Sequence, residues 1–293
     1  MNWILSAMLL SSVGVPGGRA TVVVAVESGV EAYEAAVAGI GAALGPNGYR
    51  VVDVRSGGAG LAQAASDKDV QMVVAVGSGA FREACAHKLS VPVVATMMLN
   101  GSELEGRGHV DLDIPLGPQL QAMSALWPQR LRVGIIRNPA RSRLSAEALE
   151  AQARKQGYTA VVLECSGPAR LLKVVAEVKG KVDFLLCFPD PDLYNPVTIK
   201  PFVLASLEAR LPIVGFSPAF VHAGAAAGIY PDYREVGRQT GEMALRCLHG
   251  DGAPSGACGE EGPRKIQVAV NLRVAHLLGA EFHTDALPVE VFR

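Results

Sequence analysis

The chain has 293 residues, of which 49% are hydrophobic and 19% charged, and its formal net charge is -1. That length points to roughly two domains of about 150 residues each. The near-neutral balance excludes the basic footprint of a nucleic-acid or anionic-membrane binder, and 5% aromatic content leaves no stacking platform for single-stranded nucleic acid.

Residues 3–15, WILSAMLLSSVGV, are apolar but shorter than the about 20 residues of a membrane span. They suit the core of a secretory signal, with the small residues Gly17, Gly18 and Ala20 near a cleavage point. Residues 1–20 are therefore expected to be a signal-like segment and the protein to be exported to the periplasm. Without a cleavable signal, it would be cytoplasmic. No cysteine follows directly, so no lipid anchor is expected.

From residue 21 onward, strand-like and helix-like stretches alternate. Strands are expected at 21–26 (TVVVAV), 49–54, 70–76 and 91–96, with helices near 31–44, 59–66 and 81–87. After Pro115 the pattern restarts. Helices are expected at 118–126, 145–156, 169–178, 199–209 and 236–248, and strands at 132–137 (RVGIIR), 159–164, 184–188, 213–216 and 226–230. Continuous apolar strands between helices indicate parallel sheets covered on both faces. The expected architecture is α/β, with two doubly wound parallel-sheet lobes joined by crossovers. Residues 21–117 are assigned to lobe I, with part of about 252–293, and residues 118–251 to lobe II.

Ligands of such sheets bind beyond the carboxyl ends of the strands, and polar residues gather there. Gly77-Ser78-Gly79 follows one strand and opens a helix; Thr96 ends another. A helix start and close-approaching glycine backbone suit an anion, so Ser78, Gly79 and Thr96 are candidates for a ligand carboxylate; the alternative is plain capping. In the second half, Asn138 and Ser142, Asp190, Ser217 and Phe220, and Asp232 each follow a strand. Asp190 or Asp232 can take a ligand ammonium through a charge-assisted hydrogen bond, or cap the next helix. Phe220 can cover an apolar ligand, or serve as a core aromatic.

Catalytic signatures are lacking: there is no G-x-G-x-x-G after a strand, no P-loop and no G-x-S-x-G. The six histidines fall in no metal or catalytic spacing, and the five cysteines form no C-x-x-C pair, so neither a metal nor another cofactor is expected. Cys165 and Cys187 lie in apolar runs and read as small buried hydrophobes. The odd number of cysteines leaves at least one thiol free or paired with another chain.

Three stretches carry a family resemblance. Residues 224–250, GAAAGIYPDYREVGRQTGEMALRCLHG, combine a Gly-Ala strand, an Asp-Tyr pair and a Gly-Arg-Gln helix. Residues 266–279, IQVAVNLRVAHLLG, supply a strand, an Asn-Leu turn and a last helix; RVGIIRNP at 132–139 supplies a strand and Asn-Pro. In order and spacing these resemble the substrate-binding proteins of ABC transporters with the type I periplasmic binding fold, in the subgroup that includes tryptophan- and tyrosine-binding proteins. The resemblance implies cleft contacts at Ser78, Ser142, Asp190 and Asp232, a ligand clamped between lobes, a membrane permease as partner, a monomer and no catalysis. Two departures, Thr96-Met97-Met98 in place of Asp-Pro and Arg141 before Ser142, leave room for a ligand other than an aromatic amino acid. The competing expectations are a ligand-sensing module of the same fold and, less favoured, a racemase- or lyase-type enzyme.

Overall fold

A computed structural model describes residues 22–46, 48–55, 57–99, 104, 107–249 and 258–292. The signal-like segment 1–20 lies outside the described residues. Two sheets organise the rest.

The first half runs β1 (Val22–Val26), α1 (Glu31–Leu44), β2 (Tyr49–Asp53), α2 (Ala59–Ala65), β3 (Met72–Val76), α3 (Gly77–Ala86), β4 (Val93–Thr96) and β5 (His109–Val110). The chain then crosses to α4 (Leu116–Leu126), β6 (Arg132–Arg137), α5 (Ala146–Lys155), β7 (Thr159–Glu164), α6 (Pro168–Val178), β8 (Phe184–Cys187), α7 (Ile199–Glu208), β9 (Ile213–Gly215), α8 (Pro218–His222) and β10 (Ala227–Pro231). It ends with α9 (Tyr233–His249), β11 (Glu260–Glu261), β12 (Ile266–Asn271), α10 (Leu272–Leu277) and β13 (Val289–Phe292).

The first sheet has the order β11-β5-β4-β3-β1-β2 and the second β13-β12-β10-β9-β8-β6-β7. Neighbouring strands are parallel except β10 and β12, which pair antiparallel. Strand side chains alternate between faces, and β1 and β3 have apolar residues at both. Val22, Val24 and Val26 enter one buried cluster, while Val23 and Ala25 enter the cluster on the opposite face. Both faces are covered, as continuous Val-rich strands require. The architecture expected from the sequence is the one observed.

Sheet membership departs from the expected division at 118 and 251. Helix α9 packs on α1, and its Val236, Met243 and Ala244 join the first sheet's core. Strands β12 and β13 belong to the second sheet, so among the described residues of the last segment only β11 pairs with the first sheet. The chain therefore passes between the sheets three times: at 111–115, at Asp232 and at 262–265.

Glycines let α1 and α9 approach closely. A Cβ placed on Gly237 would lie 1.9 Å from the Ala36 carbonyl oxygen, and one on Gly39 would lie 1.9 Å from that of Arg234. Cys247, near the end of α9, forms a disulfide with Cys258, just before β11. Cys165 and Cys187 are buried thiols, and Cys85 is exposed.

Candidate functional site

A pocket of about 410 Å³ opens beyond the carboxyl ends of β5, β6 and β8. Ile136, Arg137 and Asn138 come from the end of β6, and Phe188, Pro189 and Asp190 from the end of β8. The first crossover contributes Asp111, Asp113 and Ile114; the third crossover and the strand before it contribute Gly262 and Glu260. Arg141, Ser142, Arg143 and Leu144 close one side, and Leu149 and Leu193 extend the apolar wall.

Local hydrogen bonds hold the polar groups in place. Asp190 is buried, and its Oδ1 accepts from the backbone N–H of Asp192 at 2.8 Å and of Leu193 at 3.2 Å. Asn138, also buried, accepts from the Ala140 N–H at 3.1 Å. The Ser142 hydroxyl donates to the Leu144 carbonyl at 3.0 Å. The three guanidiniums beside the pocket each face a carboxylate: Arg137 is 2.8 Å from Glu164, Arg141 is 2.5 Å from Asp192, and Arg143 is 2.8 Å from Glu260. The hydrogen bond from Arg143 holds the Glu260 carboxyl below its usual range, and that from Arg141 does the same for Asp192.

Of the nine residues expected from sequence, the pocket gathers Asn138, Ser142 and Asp190. Ser78 is exposed in the first turn of α3. Gly79 is buried, and a Cβ there would meet the Glu27 carboxylate at 1.9 Å, so the helix start expected to receive a ligand carboxylate lies against one of the chain's own. Thr96 is fully buried with its hydroxyl unpartnered.

The other three are structural. Phe220 is 1% exposed and stacks among Tyr194 and Phe216, with ring centroids 5.3 and 5.2 Å away; it is a core aromatic. The Ser217 hydroxyl caps α8 by accepting from the Phe220 N–H at 3.3 Å. Asp232 caps the start of α9, accepting from the Glu235 N–H at 3.1 Å, and its other oxygen lies 2.8 Å from Lys265 Nζ. It thereby ties the second crossover to the third. Cys187, at the end of β8, is fully buried, and burial pushes it up to about 12, where it is an inert thiol rather than a nucleophile.

Sequence reasoning missed Asp111, Asp113, Phe188 and Glu260 as pocket residues. The signal for the first two was the break in pattern between Asp111 and Pro118. Glu260 carried none, because it joins the site only through the pairing of β11 with β5. Among the described residues, His109, Asp111 and Glu260 could hold a metal: their ligand atoms lie within 4.8 Å of one another. Among the described residues no helix is long and apolar enough to cross a membrane.

Comparison with known proteins places the chain. A family model described as ABC transporter substrate binding protein matches residues 21–287. The "Tyrosine-binding protein" of Clostridioides difficile (strain R20291) is 26% identical over 133 residues, 45% of this chain and only 38% of that protein. Among solved structures, an ABC domain in complex with L-Trp from Streptococcus pneumonia aligns over 94% of this chain and 100% of its own, at 17% identity and a TM-score of 0.62. The ligand-free, open structure of a substrate binding protein with adhesive properties from Clostridium difficile aligns over 93% of this chain and 98% of its own, at 17% identity and a TM-score of 0.69. At such identities the structural likeness establishes the fold.

Proposed function

This chain belongs to the ABC transporter substrate binding protein family, and from that premise we propose that its pocket holds a small amphipathic solute of the amino-acid type and delivers it to a membrane permease. The fold is that of the type I periplasmic binding proteins. One observation carries the reading of the pocket. A buried carboxylate, Asp190, stands within the same concavity as the apolar side chains of Ile136, Phe188 and Leu193, while the neighbouring guanidiniums already face carboxylates of their own.

In this reading, Asp190 receives the ligand ammonium, and Asn138 and Ser142 orient its polar end. The apolar wall takes the side chain. Of the three candidates on the first sheet, Ser78 is the exposed one, and it reaches the ligand when the lobes close about the three crossovers. Such closure is a hinge motion, and the ligand favours it only through contacts that the open form lacks. The names of two relatives, a tyrosine-binding protein and an L-Trp complex, support an amino-acid ligand. Export to the periplasm and binding without turnover are parts of the same reading, supported by the role of the family.

The test is calorimetry of the purified chain against the common amino acids, with Asp190→Ala beside it. Removing one partner of a buried charged pair costs about 2–5 kcal/mol, so the variant is expected to lose at least about tenfold in affinity for its best ligand. Unchanged affinity would remove Asp190 from the site; no heat with any amino acid would exclude the ligand class.

A further inference from the structure

Where the first and third crossovers leave the first sheet, β5 and β11 set His109 directly opposite Glu260 in register. His109 is only 2% exposed. Its Nδ1 lies 3.0 Å from the Arg107 carbonyl oxygen. A carbonyl only accepts, so this nitrogen carries the hydrogen and donates. The neutral ring then presents a lone pair at Nε2, which is buried without a hydrogen-bond partner and lies 3.6 Å from Glu260 Oε1. A lone pair facing a carboxylate is repulsive unless positive charge stands between them. Asp111 adds a second carboxylate, oriented by the Asp113 N–H, which donates to its Oδ1 at 3.1 Å.

We propose that His109 Nε2, Asp111 and Glu260 form a binding site for a divalent cation of the zinc class. One imidazole nitrogen and two carboxylates are a donor set that zinc takes at about 2.0–2.2 Å. A ring whose other nitrogen donates to a backbone carbonyl is the arrangement that fixes a metal-binding tautomer. The three donors lie within 4.8 Å of one another and must draw together to about 3.4 Å for tetrahedral bonds of that length. Glu260, half-exposed, supplies that movement.

Arg143 now holds the positive charge in this place, 2.8 Å from Glu260 and 3.8 Å from Asp111. It is half-exposed, and ion pairs of that kind contribute little, so a divalent ion displaces it. The ion would pin the first crossover to the third at the pocket rim, and it would do so whether or not the pocket holds a solute.

The test uses the whole chain carrying Cys85→Ser, which removes the exposed thiol, stripped with EDTA and titrated with zinc chloride. Calorimetry is expected to show one equivalent bound, and the unfolding temperature to rise with zinc and fall back with EDTA. Glu260→Gln and Asp111→Asn are each expected to weaken binding at least about tenfold, whereas Arg143→Gln tightens it. Glu260 is half-exposed, so its variant folds even if a change at the buried His109 does not. No zinc-dependent heat or shift would overturn the site. Equal affinity in wild type and both acid variants would overturn it as well.

Discussion

Asp190 and Phe220 both follow strands of the second sheet, yet one faces the pocket and the other the core. The difference lies in what surrounds them. Asp190 bends its own loop around Oδ1 at the pocket wall, while Phe220 fills the space beside Tyr194 and Phe216. Phe220→Ala is therefore expected to cost about 3–5 kcal/mol of stability, as large-to-small aromatic changes in cores do, and to leave ligand affinity unchanged where the protein stays folded; denaturant unfolding and calorimetry check both. Asp183 gives a pH prediction. Burial raises its carboxyl, but hydrogen bonds from the Arg132 guanidinium and N–H outweigh that and hold it below its ordinary range. A depressed folded-state pKa means that the stabilisation is complete above the unfolded value of about 3.9 and fades as the pH falls through the folded value. Asp183→Asn should accordingly flatten the loss of stability below about pH 4 in an acid titration followed by circular dichroism. Residue roles of this kind were legible in part. The sequence placed Asn138, Ser142, Asp190, Ser217, Phe220 and Asp232 after strands, but strand-end position alone does not distinguish a group that turns inward from one that caps a helix.

At the level of elements, the long apolar strands were readable because their composition is one-sided. TVVVAV has no polar face to hide, so it had to be buried on both sides. Strands β5 and β11 have two residues each, too few for any periodicity, and both escaped notice; so did β13. Helix α9 was legible as a helix but not in its destination, since an apolar stripe does not say which sheet it covers. The seam between α1 and α9 explains its place. Gly237 brings α9 so near Ala36 that a methyl group would collide with backbone. Gly237→Ala would raise helix propensity by about 1 kcal/mol, but overpacking costs about 1–3 kcal/mol or more. A net fall in the unfolding temperature is expected, and a rise would contradict the seam. The disulfide adds a covalent tie between α9 and β11. Its ends are 11 residues apart, and a loop of that size contributes roughly 2–3 kcal/mol by restricting the unfolded chain. Cys247→Ser is expected to lose about that amount in denaturant titrations under oxidising conditions and nothing under reducing ones.

Over the whole molecule, three crossovers join the two sheets, and the pocket lies against the first and third. Closure around a solute should compact the chain, so small-angle scattering is expected to give a smaller radius of gyration with saturating ligand than without it. An unchanged profile would place the solute in a rigid concavity instead. Two lobes were foreseeable because the α/β alternation restarts after Pro115. The pocket's exact lining was not, because Asp111, Asp190 and Glu260 meet only after the chain has crossed between the sheets repeatedly.

The return of α9 to the first sheet also sets an order on synthesis. As the ribosome emits the chain, β1, α1 and β3 emerge early, but α9, which shares with α1 the cover of one face of these strands, is made only after the whole of β6 to β10. Until then, that side of Val22, Val24 and Val74 has α1, through Ala36 and Ile40, but lacks Val236, Met243 and Ala244. A nascent fragment ending near Pro115 should be sticky and short-lived, and the first lobe should become protease-resistant only once residues 233–249 have left the tunnel.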